Sequence, residues 1–207
     1  MGPTVFAFIA GAYVVGSLSF AVIVCKLMGI EDPRSYGSHN PGATNVLRSG
    51  KKSAAALTLL GDALKGLLVV VLAQHLGPHF GLAGAAIAWC ALAVVIGHMW
   101  PVFLHFKGGK GVATAIGVMF GLNLWLGLAV VATWLLVAYL WRYSSLAAML
   151  ALLLSPVYAF LLLPKGLPQV GITLVIGFLV LYRHRSNLIN LLTHQEKKIG
   201  EKSRPAA

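Results

Sequence analysis

The chain is predicted to be an all-α integral membrane protein of about seven transmembrane helices. Of its 207 residues, 58% are hydrophobic and only 10% charged, and the mean hydropathy is +0.84. The apolar residues come in runs of about 18 or more, the length a helix needs to cross hydrocarbon. The basic residues collect between those runs and at the C-terminal end, as they do in cytoplasmic loops. A water-soluble core is excluded, because no amphipathic period of 3.6 or 2 is present to bury so much apolar surface.

The first span is expected at roughly residues 4–26. Its apolar run, Val5 to Cys25, has no basic segment before it, and Lys26 follows it. That order suits a retained span with its N-terminus outside, and not a cleaved signal peptide. Further spans are expected at roughly 53–75, 80–103, 112–141, 144–163 and 167–183. Charge parity tests this set. The segment 26–52 holds Lys26, Arg34, Arg48, Lys51 and Lys52, and the segment 104–111 holds Lys107 and Lys110. Six spans would leave the basic C-terminal end on the opposite side from both. The run 112–141 is too long for one crossing and is interrupted by Gly117, Gly121, Asn123 and Gly127. Splitting it near Leu122–Asn123 makes seven crossings, and Arg142 and the C-terminal end then join the other basic segments inside. Only Lys165 falls outside, and Lys65 lies within a span. The C-terminus is therefore cytoplasmic. Residues 1–195 form one polytopic domain, and 196–207 a basic, flexible cytoplasmic tail.

The net charge of +11 belongs to topology and anionic ligands, since no soluble domain offers a basic face to nucleic acid. Cys25 and Cys90 lie in apolar runs and read as small buried hydrophobes, not as a disulfide or metal site.

Four polar segments come out on the same cytoplasmic side. The first, GSHNPGATNVLR (Gly37–Arg48), turns at Gly37, Pro41 and Gly42. Its donors are Ser38, Asn40, Thr44 and Asn45, and Arg48 adds a forked cation suited to phosphate. Each residue alone fits an ordinary turn or cap; the whole string fits a phosphate wall better. The second, FKGGKG, sets Gly108, Gly109 and Gly111 among Lys107 and Lys110 before a helix. It is either an anion cradle or a flexible connection, and it lacks the GxxxxGK[ST] pattern of a nucleotide loop. The third, Ser144–Ser145, reads most simply as a helix cap. In the fourth, RHRSN, the arginines suit a stop-transfer cluster, but His184 and Asn187 share a face on a continuing helix. Asp62 and Lys65 lie inside a span and read as an i,i+3 ion pair stabilising the bundle. His75 and His79 read as inert outer-surface residues.

Several chemistries lack their residues. GxSxG, HExxH, CxxC and a His followed five positions later by Asp are all missing. The five acidic residues, Glu31, Asp32, Asp62, Glu196 and Glu201, are too scattered to hold magnesium.

GSHNPGATNVLR, GHMWPVFLHFKGGKGVAT and RHRSNLINLL together resemble the three motifs of the bacterial acyl-phosphate-dependent glycerol-3-phosphate acyltransferases, the PlsY family. The resemblance runs over essentially the whole chain. It implies a multi-pass enzyme of the bacterial inner membrane that moves a fatty acyl group from acyl phosphate to the 1-hydroxyl of glycerol 3-phosphate. The products would be lysophosphatidic acid and phosphate. It implies no cofactor or metal, a setting among membrane lipids, and a soluble acyl-phosphate synthase, PlsX, as partner. Carried over by position, Ser38, Arg48, Lys107, His184 and Asn187 would be catalytic. Ser145 would orient substrate, and Gly108 and Gly109 would cradle the acyl phosphate through backbone amides. Asn40, Thr44 and Asn45 are expected as further contacts within the first motif. The departures are His39, whose place the motif leaves open, and Lys110, to which it gives no role. The competing reading is a membrane transporter of a phosphorylated or anionic solute, disfavoured by the lack of an internal repeat and by polar motifs at one face.

Overall fold

The computed structural model describes residues 2–164 and 168–201. Lys165, the basic residue expected outside, lies beyond them, as do Lys202 and Arg204. All regular structure among the described residues is helical. The order is α1 (Pro3–Gly16), α2 (Phe20–Leu27), α3 (Ala43–Leu47), α4 (Lys52–Leu76), α5 (Gly84–Met99), α6 (Val112–Leu122), α7 (Leu124–Trp141), α8 (Ser144–Leu162), α9 (Pro168–Arg183) and α10 (Arg185–Leu192).

Among the described residues four helices are long and apolar enough to cross a membrane: Lys52–Phe80, Gly84–Leu104, Leu124–Trp141 and Ser144–Leu162. The pair α1 and α2, bent by 43°, makes a fifth if taken as one span. α6, with 11 residues, and α9, with 16, are apolar but shorter. At a rise of 1.5 Å per residue α6 reaches only about 17 Å, roughly half the hydrocarbon thickness. Leu64, Leu68 and Leu72 on α4, Leu136 and Tyr139 on α7, and Phe178 on α9 are exposed, which is the surface a bilayer solvates.

Two breaks in the apolar runs have local causes. α6 ends at Leu122, where Asn123 is extended and its Oδ1 accepts from the N–H groups of Trp125 and Leu126 at 2.8 and 3.1 Å. The side chain thus caps α7 where the sequence placed the split. The first span, expected to be continuous, is instead interrupted at Ser17–Ser19. Serine hydroxyls compete with the helical ladder: Ser17 Oγ donates to the Tyr13 carbonyl at 2.9 Å, and Ser19 Oγ accepts from the Val22 N–H at 3.5 Å. The Leu18 carbonyl left between them is taken by Lys65 Nζ at 2.6 Å.

α5 runs through the middle, packed on α1, α4 and α9, while α4 also packs on α6, and α8 on α7 and α9. Its buried Val94, Val95 and Met99 join Val118, Leu152 and Ile176 in the main core. α4 and α6 approach backbone to backbone: a Cβ on Gly66 would strike the Thr114 carbonyl, and one on Gly117 the Ala63 carbonyl. Close crossings through small residues are how helices associate where lipid removes the hydrophobic driving force. This crossing brings the start of α6, and the glycine loop before it, against the middle of α4.

Candidate active site

The four polar segments meet at one end of the bundle, around two adjoining cavities. The larger in the extent of its walls, enclosing 760 Å³, is lined by residues of all four, among them Ser38, Arg48, Lys110, Ser145, His184 and Asn187. It continues into an apolar arm of Leu59, Leu60, Ile116, Val131, Trp134 and Leu135 on α4, α6 and α7. The smaller in its walls is a shallower, more open hollow of 810 Å³, which holds Lys107 and Gly108 together with Asp32, Arg34, His39 and Arg183. Ser38, Asn40, Lys110 and Asn187 border both.

The first segment is shaped by Asn45. Its Oδ1 accepts from the Ser38 N–H at 2.9 Å, and its Nδ2 donates to the carbonyls of Pro33 and Tyr36 at 2.6 and 3.1 Å. Asn45, expected as a substrate contact, borders the larger cavity, and its side chain also holds the loop that presents Ser38. Thr44 faces Ser144, their hydroxyls 3.5 Å apart, which ties the first segment to the start of α8. Arg48 ends α3 with an exposed guanidinium that has no hydrogen-bond or ion-pair partner among the described residues. Arg34, by contrast, is paired with Asp32 at 2.7 Å.

The glycine loop is pinned from behind. Gly109 N–H donates to the His98 carbonyl at 3.1 Å, and Arg183 donates to the carbonyls of Gly109 and Gly108 at 3.2 and 2.8 Å. The same guanidinium lies 5.4 Å above the Trp100 ring. Gly109 is therefore a correction: its amide is committed inside the protein and lines neither cavity. A Cβ there would strike the His98 ring, so the residue is glycine for close approach. Gly108 does line the smaller opening, and its amide has no acceptor among the described residues.

Ser145 does not cap α8, which starts after Tyr143 without a side-chain cap. Its Oγ donates to Glu196 Oε1 at 2.6 Å, and Asn187 Nδ2 donates to the same oxygen at 2.7 Å. Asn187 Oδ1 in turn accepts from Lys110 Nζ. Burial lowers the Lys110 pKa, while Glu196 works in the opposite direction. Residues from Glu196 to Glu201, assigned by sequence to the tail, thus reach back over the site, with the Ile199 N–H on the Arg142 carbonyl at 2.6 Å. Lys110 was legible only as one of two lysines in a segment that could be an anion cradle or a flexible connection, and the motif gave it no role; Glu196 escaped sequence reasoning, because it sits in a basic polar stretch with no periodic signal.

His184 does not continue a helix; it is the kink between α9 and α10, and both it and Asn187 still face the larger cavity. Its Nδ1 donates to the Val180 carbonyl at 2.8 Å, which leaves Nε2 as an acceptor. Burial pushes its pKa down from 6.5 to about 4, and the Lys110 and Arg183 charges add to the shift. The imidazole is neutral at neutral pH and a weak base. The depressed value carries a stability signature: as pH falls from 6.5 toward about 4, the unfolded ring takes a proton that the folded ring refuses. Thermal unfolding in detergent should show stability falling across that window, with a shallower slope in His184→Gln; equal slopes would refute the buried neutral ring.

Comparison with known proteins agrees with this geometry. The family model described as glycerol-3-phosphate acyltransferase matches residues 6–194. A glycerol-3-phosphate acyltransferase of Chromobacterium violaceum is 61% identical over 202 residues, covering 98% of each chain. The crystal structure of PlsY, an integral membrane glycerol 3-phosphate acyltransferase in its glycerol 3-phosphate form, superposes with a TM-score of 0.86 at 38% identity, over 95% of this chain and 96% of that one. Its lysophosphatidic acid form superposes with a TM-score of 0.85 at 37% identity, with the same coverage. The matches in sequence and in fold both run nearly end to end, and the polar segments that carry the sequence motifs are those that line the cavities: the chain belongs to the glycerol-3-phosphate acyltransferase family, of the PlsY type.

Proposed function

We propose that the chain transfers a fatty acyl group from acyl phosphate to the 1-hydroxyl of glycerol 3-phosphate, releasing lysophosphatidic acid and phosphate. The observation that carries this reading is the pair of cavities sharing Ser38, Asn40, Lys110 and Asn187. One extends into an apolar arm and suits a donor with a phosphate head and an acyl tail. The other has no long apolar arm, carries Lys107, Lys110 and Arg183, and suits a small phosphorylated alcohol. The related PlsY has been crystallised in glycerol 3-phosphate and lysophosphatidic acid forms, the acceptor and product of this reaction.

In this scheme Arg48 and Lys110 hold the donor phosphate, and Lys107 with the Gly108 amide holds the phosphate of the acceptor. Ser38, Asn40, Thr44 and the Ser145–Glu196–Asn187 chain align the two. The glycerol oxygen attacks the acyl carbonyl carbon, the bond from that carbon to the phosphate oxygen breaks, and phosphate leaves with the electron pair. The hydroxyl proton passes to an oxygen of the donor phosphate. His184, neutral and weakly basic, accepts a hydrogen bond through Nε2 and orients the hydroxyl without deprotonating it. An activated anhydride with a good leaving group needs mainly positioning and charge neutralisation.

The membrane frame we propose has seven crossings, with α6 and α9 as the short ones, the N-terminus outside and the site facing the cytoplasm of the bacterial inner membrane. The positive-inside distribution supports this. The donor would be handed over at that face by a soluble acyl-phosphate synthase, PlsX. The test uses purified protein in detergent with palmitoyl phosphate and glycerol 3-phosphate, without metal or nucleotide. Phosphate release should require both substrates. Lysophosphatidic acid formed from acyl-CoA and not from palmitoyl phosphate would overturn the donor assignment.

A further inference from the structure

Asp62 and Lys65, one turn apart on α4, meet His98 from the last turn of α5. Lys65 Nζ lies 2.6 Å from the Leu18 carbonyl, 2.8 Å from Asp62 Oδ1 and 3.0 Å from His98 Nδ1. The ammonium is thereby held by the carbonyl that the break between α1 and α2 sets free, by His98 and by its ion pair with Asp62. An ammonium can only donate, so His98 Nδ1 must accept. Asp62 Oδ1 stands 3.5 Å from Nδ1, beyond a good hydrogen bond. The ring proton is consequently on Nε2.

That second nitrogen has no acceptor among the described residues, although the side chain is only 5% exposed. Nε2 lies on the edge of the ring that Gly109 covers, where a Cβ would strike it, and His98 borders the larger cavity together with Asp62. The smaller opening does not include it. An N–H that no protein group among the described residues accepts, on a ring bordering a cavity, is free to donate to a ligand there.

We infer that His98 is a substrate-facing hydrogen-bond donor, its Nε2–H directed at an oxygen of the acyl phosphate that gains charge during transfer, with Lys65 and Asp62 as the positioning residues that fix its tautomer. This rests on the acyl-phosphate reading, because only that substrate would fill the larger cavity with an oxygen-bearing head. A fixed neutral donor inside the bundle matters most where charge develops, so its loss falls on kcat more than on KM.

The experiment compares His98→Asn, whose amide replaces Nδ1 but leaves Nε2 empty, with His98→Gln, whose amide nitrogen reaches the Nε2 place. With palmitoyl phosphate and glycerol 3-phosphate, His98→Asn should lose about 100-fold in kcat with KM values within about 3-fold. His98→Gln should recover most of that loss. A His98→Asn kcat within about 3-fold of wild type, or a His98→Gln no better than His98→Asn, overturns the proposal. ¹⁵N spectra of the wild-type histidines, with His98 assigned through its connectivity to Gly97 and Met99, keep it testable if the variants fold poorly. The ring should carry its proton on Nε2, and that resonance should move on adding a non-hydrolysable acyl phosphonate. An Nδ1-protonated ring, or no movement on binding, overturns it. Wild-type protein that never turns over acyl phosphate would defeat the function reading, while the tautomer measurement would still judge the His98 geometry by itself.

Discussion

Arg48→Ala is expected to fold as wild type and to lose about 1,000-fold in acyl transfer from palmitoyl phosphate, the upper end for removing one donor to a charged transition state. The stability side follows from what the residue does in the fold. Arg48 is exposed at the end of α3 and has no hydrogen-bond or ion-pair partner among the described residues, so truncating it breaks no contact between helices. The activity side follows from charge. A guanidinium offers a phosphate two parallel hydrogen bonds and a full positive charge that an alanine cannot replace. Arg48→Lys keeps the charge but not the fork and should fall between the two. Phosphate release and thermal unfolding, run on the same preparations, check both halves. Turnover within about tenfold of wild type would remove Arg48 from the donor site.

Asp62→Leu is expected to have the largest effect on stability. Lys65 and Asp62 are almost fully buried among the helices, and removing the carboxylate leaves an ammonium there with two neutral partners. Breaking one side of a buried pair costs about 3–5 kcal/mol, whereas replacing both sides with apolar groups is often neutral. The double variant Asp62→Leu/Lys65→Met should therefore recover most of the folded yield that Asp62→Leu loses. It should not recover activity, since the imidazole of His98 is then no longer held in one tautomer. Thermal unfolding in detergent beside the transfer assay separates the two. An Asp62→Leu protein as stable as wild type would show that the pair is not the anchor its geometry indicates.

Legibility in the sequence divides by the separation of the residues that make a contact. The split at Asn123 was readable because a polar residue interrupts a run too long for one crossing. The break at Ser17–Ser19 was not, because two small hydroxyl residues hardly lower the apolar average, and the stabilising partner of the freed carbonyl is Lys65, 47 residues away. Ser38, Arg48, Lys107, Ser145, His184 and Asn187 could be picked out by motif, and all of them line the two cavities. Asn45 and Gly109 carried the same signal; Asn45 also serves the loop and Gly109 the His98 contact, since sequence pattern records the need for an amide or a glycine but not what it faces.

The amino-acid sequence by itself determined the solvent, the helical class, the clustering of the charges between and after the apolar runs, and the family. Those depend on hydrophobic run length, on loop composition and on motif order, all of which are local or additive along the chain. Tertiary structure alone decided that Glu196 joins Ser145 to Asn187, that Arg183 braces the glycine loop, and that Lys65 meets His98. Hydrogen bonds act over about 3 Å, and only the packing of α4 on α6 and α5, and of α8 against α9 and α10, brings those atoms within that range.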